Sequence, residues 1–299
     1  PCSLNGEGRP CVCDGGWTGP ECGQLDLLAA PPLDAQVTAA AATTANNSEA
    51  NSTWGMSVVG PDASGTFHGY MTEMANGCPL GDYGSASQIA HMTSQSPLGP
   101  WIRRGLALKG FAHNPQAVMA PNGSILLFHI GTELPNGCVK QCADGSAAAV
   151  DSAPTQCPGT PHGTSVAVAD SFEGPFTRYP YILGSGPTNP APYIFPNGTI
   201  YLGTRRTSSP TYPAWVGHAS TPGGPWTPLK TTVLSTPQAS VRVSEEDSFI
   251  WQNRRGYHML THRAISSPDG WPPRPSTGCG GGHLFSHDLL TWFVGGNAY

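Results

Sequence analysis

Residues 114–131 read NPQAVMAPNGSILLFHIG, and residues 189–206 read NPAPYIFPNGTIYLGTRR. Both fit N-P-x-x-(aromatic or aliphatic)-aliphatic-x-P-N-G-(S/T)-I-x-L, offset by 75 residues. In each, Asn-Gly lies between apolar, β-rich runs, and that dipeptide supplies the two positive-φ positions of a type I′ turn. Each copy is therefore predicted to be a β-hairpin. Looser copies are TWGMSVVGPDASGTFHGYMTEM from Thr53 and EEDSFIWQNRRGYHMLTHR from Glu245.

A second motif follows each hairpin: a strand of small residues, a turn, then an aromatic. It ends at Trp101 (SQIAHMTSQSPLGPW), Phe176 (TSVAVADSFEGPF), Trp226 (AWVGHASTPGGPW) and Trp292 (GGHLFSHDLLTW). Two motifs recurring in order every 50–75 residues read as blades of a β-propeller, each of three or four antiparallel strands. The predicted blades are 53–112, 113–187, 188–243 and 244–299. A fifth blade beyond residue 299, or a contribution from 26–52, would complete the ring. The predicted organisation is 1–25 as a disulfide-stapled segment, 26–52 as a connector and 53–299 as the propeller.

Composition agrees with an all-β chain. Charged residues are 11% of 299, against 38 Gly and 31 Pro, which suits short strands and turns and excludes long helices. The net charge of −5 argues against a nucleic-acid or anionic-membrane partner. No apolar run reaches the ~18 residues of a membrane helix. No phosphate-binding glycine loop or HExxH pattern occurs, so no cofactor or metal is expected. The chain starts at Pro1-Cys2 and reads as a processed or trimmed product.

Nine cysteines and four sequons, at Asn46, Asn51, Asn122 and Asn197, point to a secreted or cell-surface glycoprotein. The segment CSLNGEGRPCVCDGGWTGPEC, residues 2–22, resembles the C-terminal part of an EGF-like module. That resemblance implies Cys2–Cys11 and Cys13–Cys22 pairs, although four cysteines alone permit three pairings. For the rest, Cys142–Cys157 within an insertion over about 133–162 and Cys78–Cys279 between blades are the expected pairs, leaving Cys138 over. An unpaired cysteine would permit assembly with copies of the chain or other extracellular proteins.

With its G-P-W/F turns and W-G, N-P, N-P and E-D blade starts, the chain resembles the five-bladed propellers of glycoside hydrolase family 43. It is closer still to family-43-like secreted proteins of algae, oomycetes and other protists. The resemblance implies a carbohydrate ligand at the axial ends of the inner strands. Inverting hydrolysis there needs a carboxylic acid and a carboxylate about 6.5–9.5 Å apart. The chain departs from that requirement: Trp54 stands where the family has an aspartate base, and Asn114 and Asn189 stand where acids are expected. Asparagine has no titratable proton to exchange. Only Glu245, Glu246 and Asp247 supply acids, with Glu246 and Glu245/Asp247 on opposite faces if the segment is a strand.

Two functions follow. One is a non-catalytic carbohydrate-binding or structural subunit of an extracellular coat or filament. The other is a glycosidase on plant or algal polysaccharide, with Glu246 as general acid supported by Asp247. The expected pocket residues are Trp54, His113, Asn114, Asn189, Arg205, Trp251 and His283, with Trp54 and Trp251 offered as sugar-stacking rings.

Overall fold

The structure, a computed structural model, describes residues 12–13, 15–18, 24–26, 53–135, 138–142, 162–206, 215–229, 232–234, 246–262 and 281–297. The chain forms two compact units. One comprises Pro1–Leu33, Pro210–Pro213 and Lys230–Tyr299; the larger comprises Asp34–Ser209 and Ala214–Leu229.

In the smaller unit, β1 (Trp17–Thr18) and β2 (Gln24–Leu25) form a short hairpin. The larger unit holds three four-stranded antiparallel sheets. Sheet one is β3 (Thr53–Val59), β4 (Phe67–Met74), β5 (Ser87–Ser94) and β6 (Ile102–Leu108). Sheet two is β7 (His113–Met119), β8 (Ile125–Ile130), β9 (Thr164–Ala169) and β10 (Thr177–Tyr179). Sheet three is β11 (Pro187–Ile194), β12 (Ile200–Arg206), β13 (Trp215–Ala219) and β14 (Thr227–Pro228). The smaller unit's main sheet orders as β15-β19-β18-β17-β16. Its strands are β15 (Thr232–Leu234), β16 (Phe249–Asn253), β17 (Gly256–Thr261), β18 (Gly282–Ser286) and β19 (Thr291–Asn297), with β15 parallel to β19. The only α-helix among the described residues is one turn, Tyr83–Ala86. The four repeats are thus four blade-like sheets, as the doubled motif predicts.

A sheet sandwiched between two others must be apolar on both faces, and β8 shows this in sequence as ILLFHI, every residue buried. Ile125 and Leu127 join Tyr70, Ile89 and Leu108 of sheet one. Leu126 and Phe128 point the other way and join Ile200 and Leu202 of sheet three. The alternation of a strand therefore builds two inter-sheet cores from one run.

The aromatic after Gly-Pro reaches the preceding sheet from sheets two and three, while Trp101 packs on Met71, Ala90 and Met92 of its own sheet one. Gly99-Pro100, Gly174-Pro175 and Gly224-Pro225 are cis, and each glycine has φ near +90°. Each glycine N–H donates to a carbonyl three residues back, on Ser96, Ser171 and Thr221. The turn of sheet two swings Phe176 onto Tyr70 of sheet one, edge to face at 5.8 Å. The turn of sheet three swings Trp226 onto Phe128 of sheet two, at 6.5 Å. A Cβ on Gly224 would lie 2.8 Å from the Trp226 ring, so glycine is needed there. The fourth repeat, lacking Gly-Pro, turns by other chemistry. Ser286 Oγ accepts the Leu289 N–H at 2.9 Å, and Asp288 Oδ1 accepts those of Leu290 and Thr291 at 2.8 and 2.7 Å.

The Asn-Gly turns differ from the expected type I′. Gly123 N donates to Ala120 O and Gly198 N to Phe195 O, at 2.9 and 2.8 Å. The central residues are therefore Pro121-Asn122 and Pro196-Asn197. Proline's fixed φ near −65° excludes type I′ at that position, and positive φ falls on Gly123 and Gly198 alone, not on the asparagines. These are type I turns followed by a left-handed glycine.

Two disulfide expectations are corrected. Cys78 bonds Cys142, with S–S 2.06 Å and Cα–Cα 5.0 Å, which excludes both Cys142–Cys157 and Cys78–Cys279. The reason is a set of long-range bonds to Lys140. Asn76 Nδ2 donates to Lys140 O at 2.9 Å, Lys140 N to Ser85 O at 3.0 Å, and Lys140 Nζ pairs with Asp82 at 3.0 Å. The start of the insertion is thereby strapped onto the 75–86 turns of sheet one. Cys138, expected to be left over, is disulfide-bonded, as is Cys13; Cys2, Cys11, Cys22, Cys157 and Cys279 lie outside the described residues.

Gly131 is a sharp test of this packing. Its φ is +94°, and a Cβ there would sit 2.5 Å from the Phe111 ring and 2.6 Å from its carbonyl. Gly131→Ala is expected to cost about 2–4 kcal/mol, from backbone strain plus overpacking. Gly123→Ala, at φ +89° but in open space, should cost only about 1–2 kcal/mol. Urea denaturation of both variants measures the difference.

Candidate functional site

The first strand of each repeat's sheet has a left-handed residue at or just before its start: Gly55 (φ 56°), Asn114 (φ 51°), Asn189 (φ 49°) and Asp247 (φ 53°). Glycine, asparagine and aspartate are the residues that reach this region most readily. In the larger unit the register slips at each, between Trp54 and Met56, His113 and Gln116, and Thr188 and Ala191. A bulge of this kind re-aims the side chains beside it.

These starts are knitted together at one end of sheets one to three. A Cβ on Gly55 would lie 3.8 Å from Asn114 Oδ1. Asn114 N donates to Thr72 Oγ1 at 3.1 Å, and Thr72 pairs across from Trp54. Asn189 Oδ1 accepts from Thr188 Oγ1 at 3.2 Å, with Arg205 opposite Thr188 in the register. His113 is buried, 4.7 Å from the Tyr83 ring, and Tyr83 Oη lies 3.4 Å from His162 Nδ1. Burial first, then the nearby His162, lowers the His113 pKa to about 4. The imidazole is therefore neutral, and its Nδ1 has no hydrogen-bond partner among the described residues.

The starts of β3, β7 and β11 offer no acid: the pairs are Trp54-Gly55, His113-Asn114 and Thr188-Asn189. Glu73, which pairs with Thr53 at the start of β3, is fully buried in a bidentate fork. Arg103 reaches it at 2.7 and 2.9 Å, and Gln88 adds a bond at 2.9 Å. Such a group holds β4, β5 and β6 together and is not positioned for proton exchange.

The smaller unit holds the remaining acids. Glu246 and Asp247 lie in a turn before β16, not in a strand, because Asp247 is left-handed. The expected alternation of faces does not apply. Asp247 Oδ2 is 3.0 Å from His262 Nδ1, and His262 N donates to Glu246 O at 2.8 Å. Glu245 is outside the described residues. Trp251 and His283, expected at a pocket, are packed in a stack. Trp251 lies 5.1 Å from His258, which lies 5.3 Å from His283, while Trp17 approaches both imidazoles at 5.1 and 6.1 Å. Arg255 covers the Trp17 ring at 4.3 Å.

Among the sequence-expected residues, Trp54, His113, Asn114 and Asn189 fall at the strand starts of the larger unit, with Arg205 near the end of β12 opposite Thr188; Glu246, Asp247, Trp251 and His283 belong to the smaller one. Thr72, Tyr83, His162 and Thr188 were not anticipated. Only strand register, which places Thr72 opposite Trp54, brings the first into view.

No protein family matches the chain by sequence, and no curated protein does. Solved structures do match. A family 117 glycoside hydrolase from the marine bacterium Zobellia galactanivorans gives TM-score 0.54 at 15% identity, covering 84% of this chain and 71% of that one. The GH43_1 enzyme of Xanthomonas citri complexed with xylose gives 0.53 at 16%, covering 88% and 79%. A GH43 β-xylosidase/α-arabinofuranosidase from a compost metagenome, in complex with xylotriose, gives 0.50 at 14%, covering 82% and 77%. The likeness shows the fold, a propeller-like all-β architecture of the glycoside hydrolase kind.

Buried imidazoles set the pH response. Burial is the first cause holding His91, His113, His258 and His283 at about 4 and His129 at about 3. The unfolded chain protonates these groups below about 6.5 while the folded chain does not. Stability from neutral histidines is present above pH 6.5 and lost as pH falls toward 4. The melting temperature is expected to be flat from pH 7 to 8 and to drop steeply between pH 6 and 4, with His129→Gln reducing the slope.

Proposed function

We propose that the protein is a secreted carbohydrate-binding glycoprotein that has kept a glycosidase propeller and holds sugar at its blade starts without hydrolysing it. The observation that carries this reading is the set Gly55, Asn114 and Asn189 at three consecutive strand starts. An amide donates and accepts hydrogen bonds with sugar hydroxyls, but it cannot serve as acid or base. Trp54, half-buried beside Gly55, supplies a ring of the kind that stacks on a sugar face. Exposed Asn122 and Asn197 support the glycoprotein reading. Each sits in a hairpin turn with its sequon hydroxyl residue two positions on, and Oδ1 accepts that residue's N–H at 3.1 and 3.0 Å.

A second reading, an active glycosidase, is favoured by the Asp247–His262 contact. A carboxylate on Nδ1 orients an imidazole for proton transfer, and Glu246 adjoins the pair.

Calorimetric titration with xylotriose, arabinotriose and galactotriose tests both readings, alongside release of reducing ends from xylan, arabinan and galactan. Binding without turnover is expected. Asn114→Gly and Asn189→Gly keep the left-handed backbone and remove the amide, and each should weaken binding about tenfold. Turnover by the natural protein, abolished in Asp247→Asn or Glu246→Gln, would replace the first reading with the second.

A further inference from the structure

On sheet one, away from the strand starts, an acid and two histidines form a chain of hydrogen bonds. Asp62 sits in the turn between β3 and β4. Its Oδ1 accepts from Ser64 Oγ at 2.7 Å, Ser64 N at 2.8 Å and Thr66 N at 2.9 Å. These bonds, the Ser64 hydroxyl foremost, hold the carboxyl below the usual carboxylate range. Asp62 Oδ2 lies 3.3 Å from His68 Nε2, and His68 Nδ1 lies 3.0 Å from His91 Nε2. The imidazoles are coplanar to 3° and Phe172 stacks on His68 at 4.0 Å.

The chain of bonds fixes the protons. An ionised carboxylate at Nε2 places the proton of a neutral His68 on that nitrogen, leaving its Nδ1 as an acceptor. His91 must then donate through Nε2–H, so the Nδ1 of a neutral His91 carries a bare lone pair. His91 is only 5% exposed, and its Nδ1 has no hydrogen-bond partner among the described residues. The ring lines a cleft of about 630 Å³ together with Ser94, Gln95, Arg104 and Glu173.

The main sheet of the smaller unit repeats the device. Asn253 Oδ1 meets His258 Nε2 at 2.9 Å, and His258 Nδ1 meets His283 Nε2 at 3.1 Å. The register is the same: His91 faces Tyr70, two residues beyond His68, and His283 faces Leu260, two beyond His258. There an indole, Trp17, lies against both rings. Over sheet one the corresponding pair borders an open cleft.

We propose that this cleft is a second binding site, taking a neutral, polyhydroxylated ligand of monosaccharide or disaccharide size through a hydroxyl donated to His91 Nδ1. A lone pair on His91 and the carboxylate of Glu173 both demand donors and repel an anion. Arg104, whose Nε is engaged by Thr93 Oγ1 at 2.7 Å, adds a positive charge that disfavours a cation and a guanidinium that seeks an acceptor. A sugar diol offers donor and acceptor on each oxygen and meets both needs. The site is separate from the strand starts and does not rest on the binding role assigned to them.

The test is nitrogen-15 NMR of the histidine rings in the full chain at pH 7. His91 should show a protonated Nε2 and an unprotonated Nδ1. Galactose, xylose or glucose, titrated singly, should move the Nδ1 signal saturably, and Asn114→Gly should leave that movement intact. His91→Phe should weaken the sugar about tenfold or more. Glu173→Gln and Arg104→Ala, on the exposed rim, should each weaken it several-fold without unfolding the protein. A protonated Nδ1 on His91, or no saturable movement with any of the three sugars, overturns the proposal. So does movement with zinc chloride alone, which would make the cleft a metal site.

Discussion

The larger unit depends on one contact made twice: the ring that follows a Gly-Pro turn packs on the preceding sheet. Phe176 on Tyr70 and Trp226 on Phe128 turn isolated sheets into neighbours. A four-stranded sheet with two apolar faces is insoluble alone and must be covered on both sides. The aromatic is held in place by a glycine of positive φ whose N–H closes the turn. Everything functional lies downstream of this. Once the sheets stack face to face, the first strands of these sheets begin at a common end, and the residues at those beginnings are gathered without any further interaction being required.

Much of this was legible in the sequence because it is written in local rules. Period-two apolar runs, Asn-Gly between them and a recurring aromatic sufficed to divide the larger unit into sheets close to the predicted bounds. Asn-Gly alone does not reveal the turn type, because the fixed φ of Pro121 and Pro196 moves the turn back by one residue. The disulfides were misread because pairing depends on which turns a loop is strapped to, and the hold of 76–85 on Lys140 is nonlocal. The strand starts carried a signal that was only half used. Trp54, Asn114, Asn189 and Asp247 stand out as lost or retained acids, whereas the property shared by Gly55, Asn114, Asn189 and Asp247 is tolerance of the left-handed backbone. The stack of Trp251, His258 and His283 was not legible because cross-strand register, not strand membership, decides what an aromatic meets.

Five of the ten histidines are buried and held neutral by that burial. His91, His113, His129, His258 and His283 are all buried. Two of the pairs are tied to an Asx side chain in a hairpin turn, so that each imidazole accepts from the next. This satisfies buried ring nitrogens without introducing charge, and on sheet one it leaves the Nδ1 of His91, a ring that lines the cleft, outside the chain of bonds. The same economy explains why the buried acid of the larger unit, Glu73, is matched by a two-armed guanidinium: an uncompensated charge at that depth would cost several kcal/mol.

The proposed separation of hydrolysis from binding rests on which groups stand at the strand starts. The fold shared with family 43 and family 117 glycoside hydrolases is present, while three of its four described starts carry a glycine or an amide. The most direct measurement is a crystal structure of the protein grown with xylotriose. The account predicts an uncleaved sugar at the strand starts, with hydroxyls within hydrogen-bonding distance of the Asn114 and Asn189 side chains. Cleaved product beside Asp247 and His262, or sugar bound with no contact to either asparagine, would contradict it.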